Sequence, residues 1–180
     1  MNKDVNREKN INWLFLFLSI FLWIIVLAWM WVIFCLSAES GQDSLSRSDL
    51  VNAFIREHFS VYISSFMIRK TAHAVEFGLL TVLSYVSFAS SARIVENKSF
   101  IEMSSTDMKA GFEMNAAFSL WITVLYAVFD EYHQIFIFGR NGSIFDVLIG
   151  IAGGLAVLLF IGIIHAISFI AKKIKLSKNN

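Results

Sequence analysis

Ile11–Leu36 reads INWLFLFLSIFLWIIVLAWMWVIFCL and contains no charged residue. A helix needs about 20 mainly apolar residues to cross the hydrocarbon core of a bilayer. This stretch is long enough. A secretory signal has an apolar core of only roughly 7–15 residues, so the segment reads as a retained span. Trp13, Trp23, Trp29 and Trp31 make it strongly aromatic. Cys35, the single cysteine, is flanked by Ile33, Phe34 and Leu36 and does not form a lipobox. Working outward, a second apolar stretch covers about residues 67–89 and carries Arg69, Lys70, His73 and Glu76 in its first turns. A third covers about 116–138, with Asp130, Glu131, His133 and Gln134 near its end. A fourth covers about 145–171 and holds Gly150, Gly153, Gly154 and Gly162, small residues that let helices pack closely in lipid.

The composition agrees with the spans. Hydrophobic residues form 57% and charged residues 16% of the 180, where soluble domains run about 45–50% and about 25%. Mean hydropathy is +0.64. A net charge of +1 argues against a nucleic-acid partner, which would call for a basic surplus on one face. One cysteine excludes an internal disulfide framework or a cysteine-based zinc site. The expectation is an all-α membrane protein: a single domain over residues 1–180, built as a four-helix transmembrane bundle.

Four spans put both termini on one side. With the termini in the cytoplasm, ten of the 15 Lys/Arg lie inside: Lys3, Arg7, Lys9, Arg93, Lys98, Lys109 and the tail lysines 172, 173, 175 and 178. Arg47, Arg56, Arg69, Lys70 and Arg140 then lie outside. The positive-inside rule favours this orientation in the cell membrane. Residues 90–115 become a cytoplasmic connector, and residues 37–66 an outer segment. In that segment Ser44, Ser46 and Ser48 can cap a helix start. Val51, Phe54, Ile55, His58, Phe59 and Tyr62 follow at helical spacing. This predicts an extracytoplasmic amphipathic helix between spans one and two, lying on the membrane surface or packed as a cap on the bundle.

Ionisable groups inside a membrane are costly and mark a function or a buried pair. Here every span contributes polar groups to the same end. Ser37 and Ser40 follow span one, Lys70, His73 and Glu76 open span two, Asp130, Glu131 and Gln134 close span three, Arg140 lies in the hairpin, and Asp146 opens span four. At about 100° per residue, Lys70, His73 and Glu76 share an arc of roughly 120°, and Asp130, Glu131 and Gln134 one of roughly 100°. These faces can look into one pocket. Either the groups pair to fix helix order or they form a site. A ring of charges exceeds what one or two packing pairs require. As a site, His73, Glu76, Asp130 and Glu131 supply general acid and base chemistry. Ser37, Ser40, Lys70, Gln134, Arg140 and Asp146 would hold substrate, Arg140 taking an anion with its planar fork. Neither serine has the elbow of a nucleophile. His133 points to another face, which weakens a metal site of His73, Glu76, Asp130 and His133. No cofactor follows from the sequence. Trp121 and Tyr132 read as lipid-facing or packing aromatics.

At these residues the chain resembles the VanZ-like family of bacterial membrane proteins. The matching pieces are Ser37-Ala-Glu-Ser40-Gly-Gln42 with Ser44 and Ser48, then Arg69-Lys70-Thr-Ala-His73-Ala-Val-Glu76-Phe77, then Asp130-Glu131-Tyr-His-Gln134, and last Phe138-Gly139-Arg140 with Asp146. Order and spacing agree over about residues 29–162. Phe138 stands where the family usually has Pro, Gly150 where Asn is frequent, and Phe77 where Tyr is common. The resemblance implies a link to low-level resistance to the lipophilic glycopeptide teicoplanin. It supplies a location and a phenotype rather than a reaction. Together the readings imply a pocket that binds or acts on an anionic envelope lipid, a cell-wall precursor or a glycopeptide, as an enzyme or as a binder.

Overall fold

The computed structural model describes residues 11–95 and 105–178, and among them every regular element is a helix. The elements are α1 (Trp13–Ser37), α2 (Gly41–Phe59), α3 (Ser65–Ala92), α4 (Ser105–Gln134) and α5 (Ile144–Lys178). Four of them are long and apolar enough to cross a membrane: α1, α3, Gly111–Gln134 of α4 and Ile144–Ala171 of α5. The chain is a multi-pass, all-α membrane bundle.

Local chemistry sets the ends. Asn12 caps α1 by accepting from the Phe15 amide, and its own amide donates to the Ile94 carbonyl, tying the start of α1 to the end of α3. Ser64 caps α3 in the same way. The cap of α2 is Ser40, which accepts from the Asp43 amide while its hydroxyl donates to the Asp43 carboxylate. The expected caps Ser44, Ser46 and Ser48 lie inside the helix instead. Ser40 wins because Asp43 answers it three residues on, in a reciprocal box. Two expected boundaries also move. Span three ends at Gln134, because Phe136 and Ile137 donate to the His133 and Gln134 carbonyls and close a turn. Asp130 is therefore only about one turn, ~6 Å, below the helix end. Residues 105–115 of the expected cytoplasmic connector are helical; residues 96–104 lie outside the described ones.

Helix α3 packs against all four others. Its closest neighbour is α5, where both backbones lack side chains in the way. A Cβ on Gly153 would run into the Ala74 carbonyl, and one on Gly78 would sit 3.4 Å from the Gly153 carbonyl. Elsewhere the helices are joined by small polar groups, which lipid cannot satisfy. Thr81 and Thr123 share a hydrogen bond (2.7 Å), as do Ser19 and Ser91 (2.6 Å). The Trp29 indole donates to the Glu76 carbonyl, and the Tyr126 hydroxyl to that of Met30. The outer faces are apolar, with Trp121 and Tyr132 exposed as the sequence suggests.

Helix α2 turns its small face inward: Gly41, Ser44 and Ser48 are buried. Its large apolar residues point away, Leu50 at 72%, Phe54 at 57% and Phe59 at 67% exposure. A soluble cap would do the reverse. This orientation fits a helix whose apolar face meets lipid.

Candidate functional site

Polar and charged residues from all four spanning helices and from the α4–α5 hairpin meet at the α2 end of the bundle. There they line a cavity of about 450 Å³. Nine of the ten residues singled out from sequence border it: Ser37, Lys70, His73, Glu76, Asp130, Glu131, Gln134, Arg140 and Asp146. Ser40 does not, because its hydroxyl is spent on the α2 cap.

The hairpin between α4 and α5 shapes one wall. Gly139 adopts φ +73°, open to glycine at little cost. The Gly41 amide donates to the Phe138 carbonyl (3.1 Å), and a Cβ on Gly41 would collide with the Gly139 carbonyl. Only glycine lets the start of α2 come this close. The contact fixes the hairpin against α2. Arg140 then turns back over the cavity and donates through Nη2 to the Leu36 carbonyl (3.2 Å) at the end of α1. One of its five guanidinium donors is thereby used. Burial pulls the Arg140 pKa below its ordinary value, and Arg47 adds to this, opposed by Asp130 and Glu39. A guanidinium is so basic that the group remains a cation at neutral pH.

The opposite wall is acidic. Glu131 is held by the Ser143 amide, which donates to Oε2 at 2.8 Å. Its Oε1 lies 3.7 Å from His73 Nε2. Asp130 accepts from Gln134 Nε2 at 3.0 Å. Asp130 and Glu131 are 3% and 5% exposed, so their charges are among the most secluded of the described residues. Lys70 pairs with Asp146, linking α3 to α5. Their side chains are 27% and 19% exposed. Removing one partner leaves the other charge half-buried and alone. Lys70→Met should therefore lower stability by about 2 kcal/mol, less than the roughly 3–5 kcal/mol of a fully buried pair. Lys70→Met with Asp146→Leu should regain most of that in a thermal melt. Equal melting of wild type and Lys70→Met would show that the pair contributes nothing.

His133 faces α1, stacked on Phe34 with ring centroids 4.5 Å apart. It stays out of the cavity, as its helical position predicts. The carboxylate–histidine set with Glu76 and His133 is not assembled. His73, Asp130 and Glu131 instead bring one ligand atom each to within 4.8 Å of one another.

Several lining residues escaped the sequence reading, Arg47, Arg69, Asn141 and Ser143 among them. Arg47 sits on α2 and pairs with Glu39 at 2.6 Å. Its signal was present: Gly41, Ser44, Arg47, Ser48 and Val51 recur at helical spacing and all border the cavity. Ser143 acts through its amide, which no side-chain pattern reveals. The Phe77 ring lies 3.0 Å from where a Cβ on Gly150 would stand, so the two form a close apolar contact.

No curated protein and no solved structure matches this chain. The VanZ/LLP1 family model matches residues 21–165, from the middle of α1 through the cavity-bearing ends to most of α5. That match covers every lining residue described above, and the chain belongs to the VanZ/LLP1 family.

Proposed function

We propose that the cavity opens toward the outer leaflet and binds the anionic headgroup of an envelope lipid, a cell-wall precursor or a lipophilic glycopeptide, giving low-level teicoplanin-type resistance. One observation carries the reading: Arg140 is a half-buried guanidinium with one donor on the Leu36 carbonyl and most of its donors unspent, on the lining of a cavity of about 450 Å³. A pocket of roughly 300–1,000 Å³ holds a small-molecule group. A planar guanidinium suits a phosphate or carboxylate oxygen pair. Among the lining cations Lys70 is already matched by Asp146 and Arg47 by Glu39, which leaves Arg140 and Arg69 to take an incoming anion. The exposed apolar face of α2 supports a cavity mouth at the lipid surface.

The second reading is a reaction on the bound group. The imidazole of His73 beside the Glu131 carboxylate, 3.7 Å apart, has the residue types of a general acid and base. Under it, Glu131→Gln would abolish turnover while leaving headgroup binding in place.

The proposal is tested in cells made sensitive to teicoplanin. Expression of wild type should raise the inhibitory concentration, and Arg140→Ala at matched expression should not. Equal protection by the two would remove Arg140 from the function, and loss of protection in Glu131→Gln would favour the second reading. The orientation has its own test. In a variant lacking Cys35, cysteine at Ser46 or Asn141 should react with an impermeant thiol reagent from outside, and cysteine at Ser99 should not. Labelling at Ser99 alone would place the cavity in the cytoplasm.

A further inference from the structure

We infer that His73, Asp130 and Glu131 form a binding site for one divalent first-row cation, of the manganese or zinc class, at the floor of the cavity. Three features point to it. The ligand atoms converge: one from each residue lies within 4.8 Å of the other two. Ligands at about 2.1 Å from a tetrahedral ion lie roughly 3.4 Å apart. The His73 Nε2 to Glu131 Oε1 distance of 3.7 Å is already close to this. The remaining closure is within side-chain rotation.

The second feature is orientation. Glu131 Oε2 is taken by the Ser143 amide and Asp130 Oδ2 by Gln134. Glu131 is thus steered by one oxygen with the other turned to His73, and Asp130 is steered by Gln134 with the Ser37 hydroxyl beside it. Ligand carboxylates in metal sites are held in this way by a surrounding layer of donors. The third feature is unfilled bonding. His73 Nε2 is buried and has no hydrogen-bond partner. Ser37, 4% exposed, borders the same cavity beside Asp130, and its Oγ makes no hydrogen bond of good geometry. Buried polar atoms are normally satisfied. A cation accepting the His73 lone pair, with its water on Ser37, satisfies both.

Charge is consistent with this. Two carboxylates balance a doubly charged ion. Lys70 is neutralised by Asp146, and Glu76 on the same lining offsets part of the Arg140 charge. One imidazole with two carboxylates suits manganese or zinc better than the all-oxygen sites of calcium or magnesium. The cation and Arg140 together would bracket a phosphate-type group from two sides; this last step rests on the headgroup reading above, and the cation site itself does not.

The test uses untagged protein in detergent, stripped with chelator and free of added anionic lipid. Titration with Mn²⁺, followed by loss of the free-ion EPR signal, should show one ion per chain. Pulsed EPR should detect ¹⁴N coupling from an imidazole. His73→Gln should abolish that coupling. Asp130→Asn and Glu131→Gln should each weaken binding at least tenfold, and His133→Gln should leave affinity and coupling unchanged. Melting curves of the stripped proteins identify any variant that has failed to fold. The ¹⁴N signal of wild type stands independently of them. Absence of stoichiometric Mn²⁺ and Zn²⁺ binding by wild type would overturn the site, leaving a proton on His73 as the group that pairs with Glu131. So would ¹⁴N coupling that persists in His73→Gln. Tight Mn²⁺ binding with no uptake of anionic lipid by the same protein would support the cation site and overturn the headgroup reading.

Discussion

Replacing Arg140 by alanine is expected to weaken binding of an anionic headgroup roughly 10- to 100-fold. A charge-assisted hydrogen bond contributes about 1.5–3 kcal/mol, and about 1.4 kcal/mol is a factor of ten. Arg140→Lys should fail nearly as badly. An ammonium is a point charge on a flexible stem and cannot make two parallel bonds to one phosphate or carboxylate. It would also be drawn to Glu39 and Asp130, the acids whose fields act on this position. Both variants lose the bond from Nη2 to the Leu36 carbonyl, which costs about 1 kcal/mol of stability. Function and stability should therefore separate: a large loss of binding with a small loss of melting temperature. Full binding by Arg140→Lys would reduce the residue to a source of positive charge. Full binding by Arg140→Ala would remove it from the site.

The second large effect is expected at Gly153. Its Cα faces the Ala74 carbonyl so closely that a Cβ would overlap the oxygen. The obstacle is backbone, not a side chain that can swing aside. Gly153→Ala should cost about 1–3 kcal/mol, the range for overpacking, and Gly153→Leu should prevent assembly of α3 on α5. The damage would reach the site, because α3 carries Lys70, His73 and Glu76 and α5 carries Asp146. Gly111→Ala is the control. A Cβ there meets nothing within 4 Å, so alanine should be neutral or stabilise by up to about 1 kcal/mol through helix propensity. Thermal melts in detergent separate the two. Equal melting of Gly153→Ala and wild type would mean that the α3–α5 crossing is not held by close backbone contact.

Much of the bundle was legible in the chain because a bilayer imposes simple rules. Length and hydropathy alone expose α1 and α5, and the charges of α3 and α4 sit at their ends, where lipid tolerates them best. The candidate site was legible for the same reason: Lys70, His73 and Glu76 on one helix face and Asp130 and Gln134 one turn apart had to look inward. What escaped depends on backbone rather than on side-chain type. The Ser143 amide on Glu131 and the Gly41–Gly139 approach leave no pattern that residue identity alone can reveal. Ser40 lies off the cavity because a serine near a charged cluster serves equally as a helix cap, and Asp43 three residues on decides for the cap. The end of span three was overrun because Ile135–Phe138 is apolar, although it forms a turn. Arg47 was missed because α2 was read for its large apolar residues. The face that meets the cavity is the small one.

The most direct test of the central claim is native mass spectrometry of the protein released from nanodiscs containing both phosphatidylglycerol and phosphatidylcholine. Wild type should retain one anionic lipid per chain in preference to the zwitterionic one. Arg140→Ala, folded by its melting curve, should lose that preference while still carrying lipid on its apolar faces. Retention of phosphatidylglycerol to the same extent by wild type and Arg140→Ala, or no preference in wild type, would contradict the account.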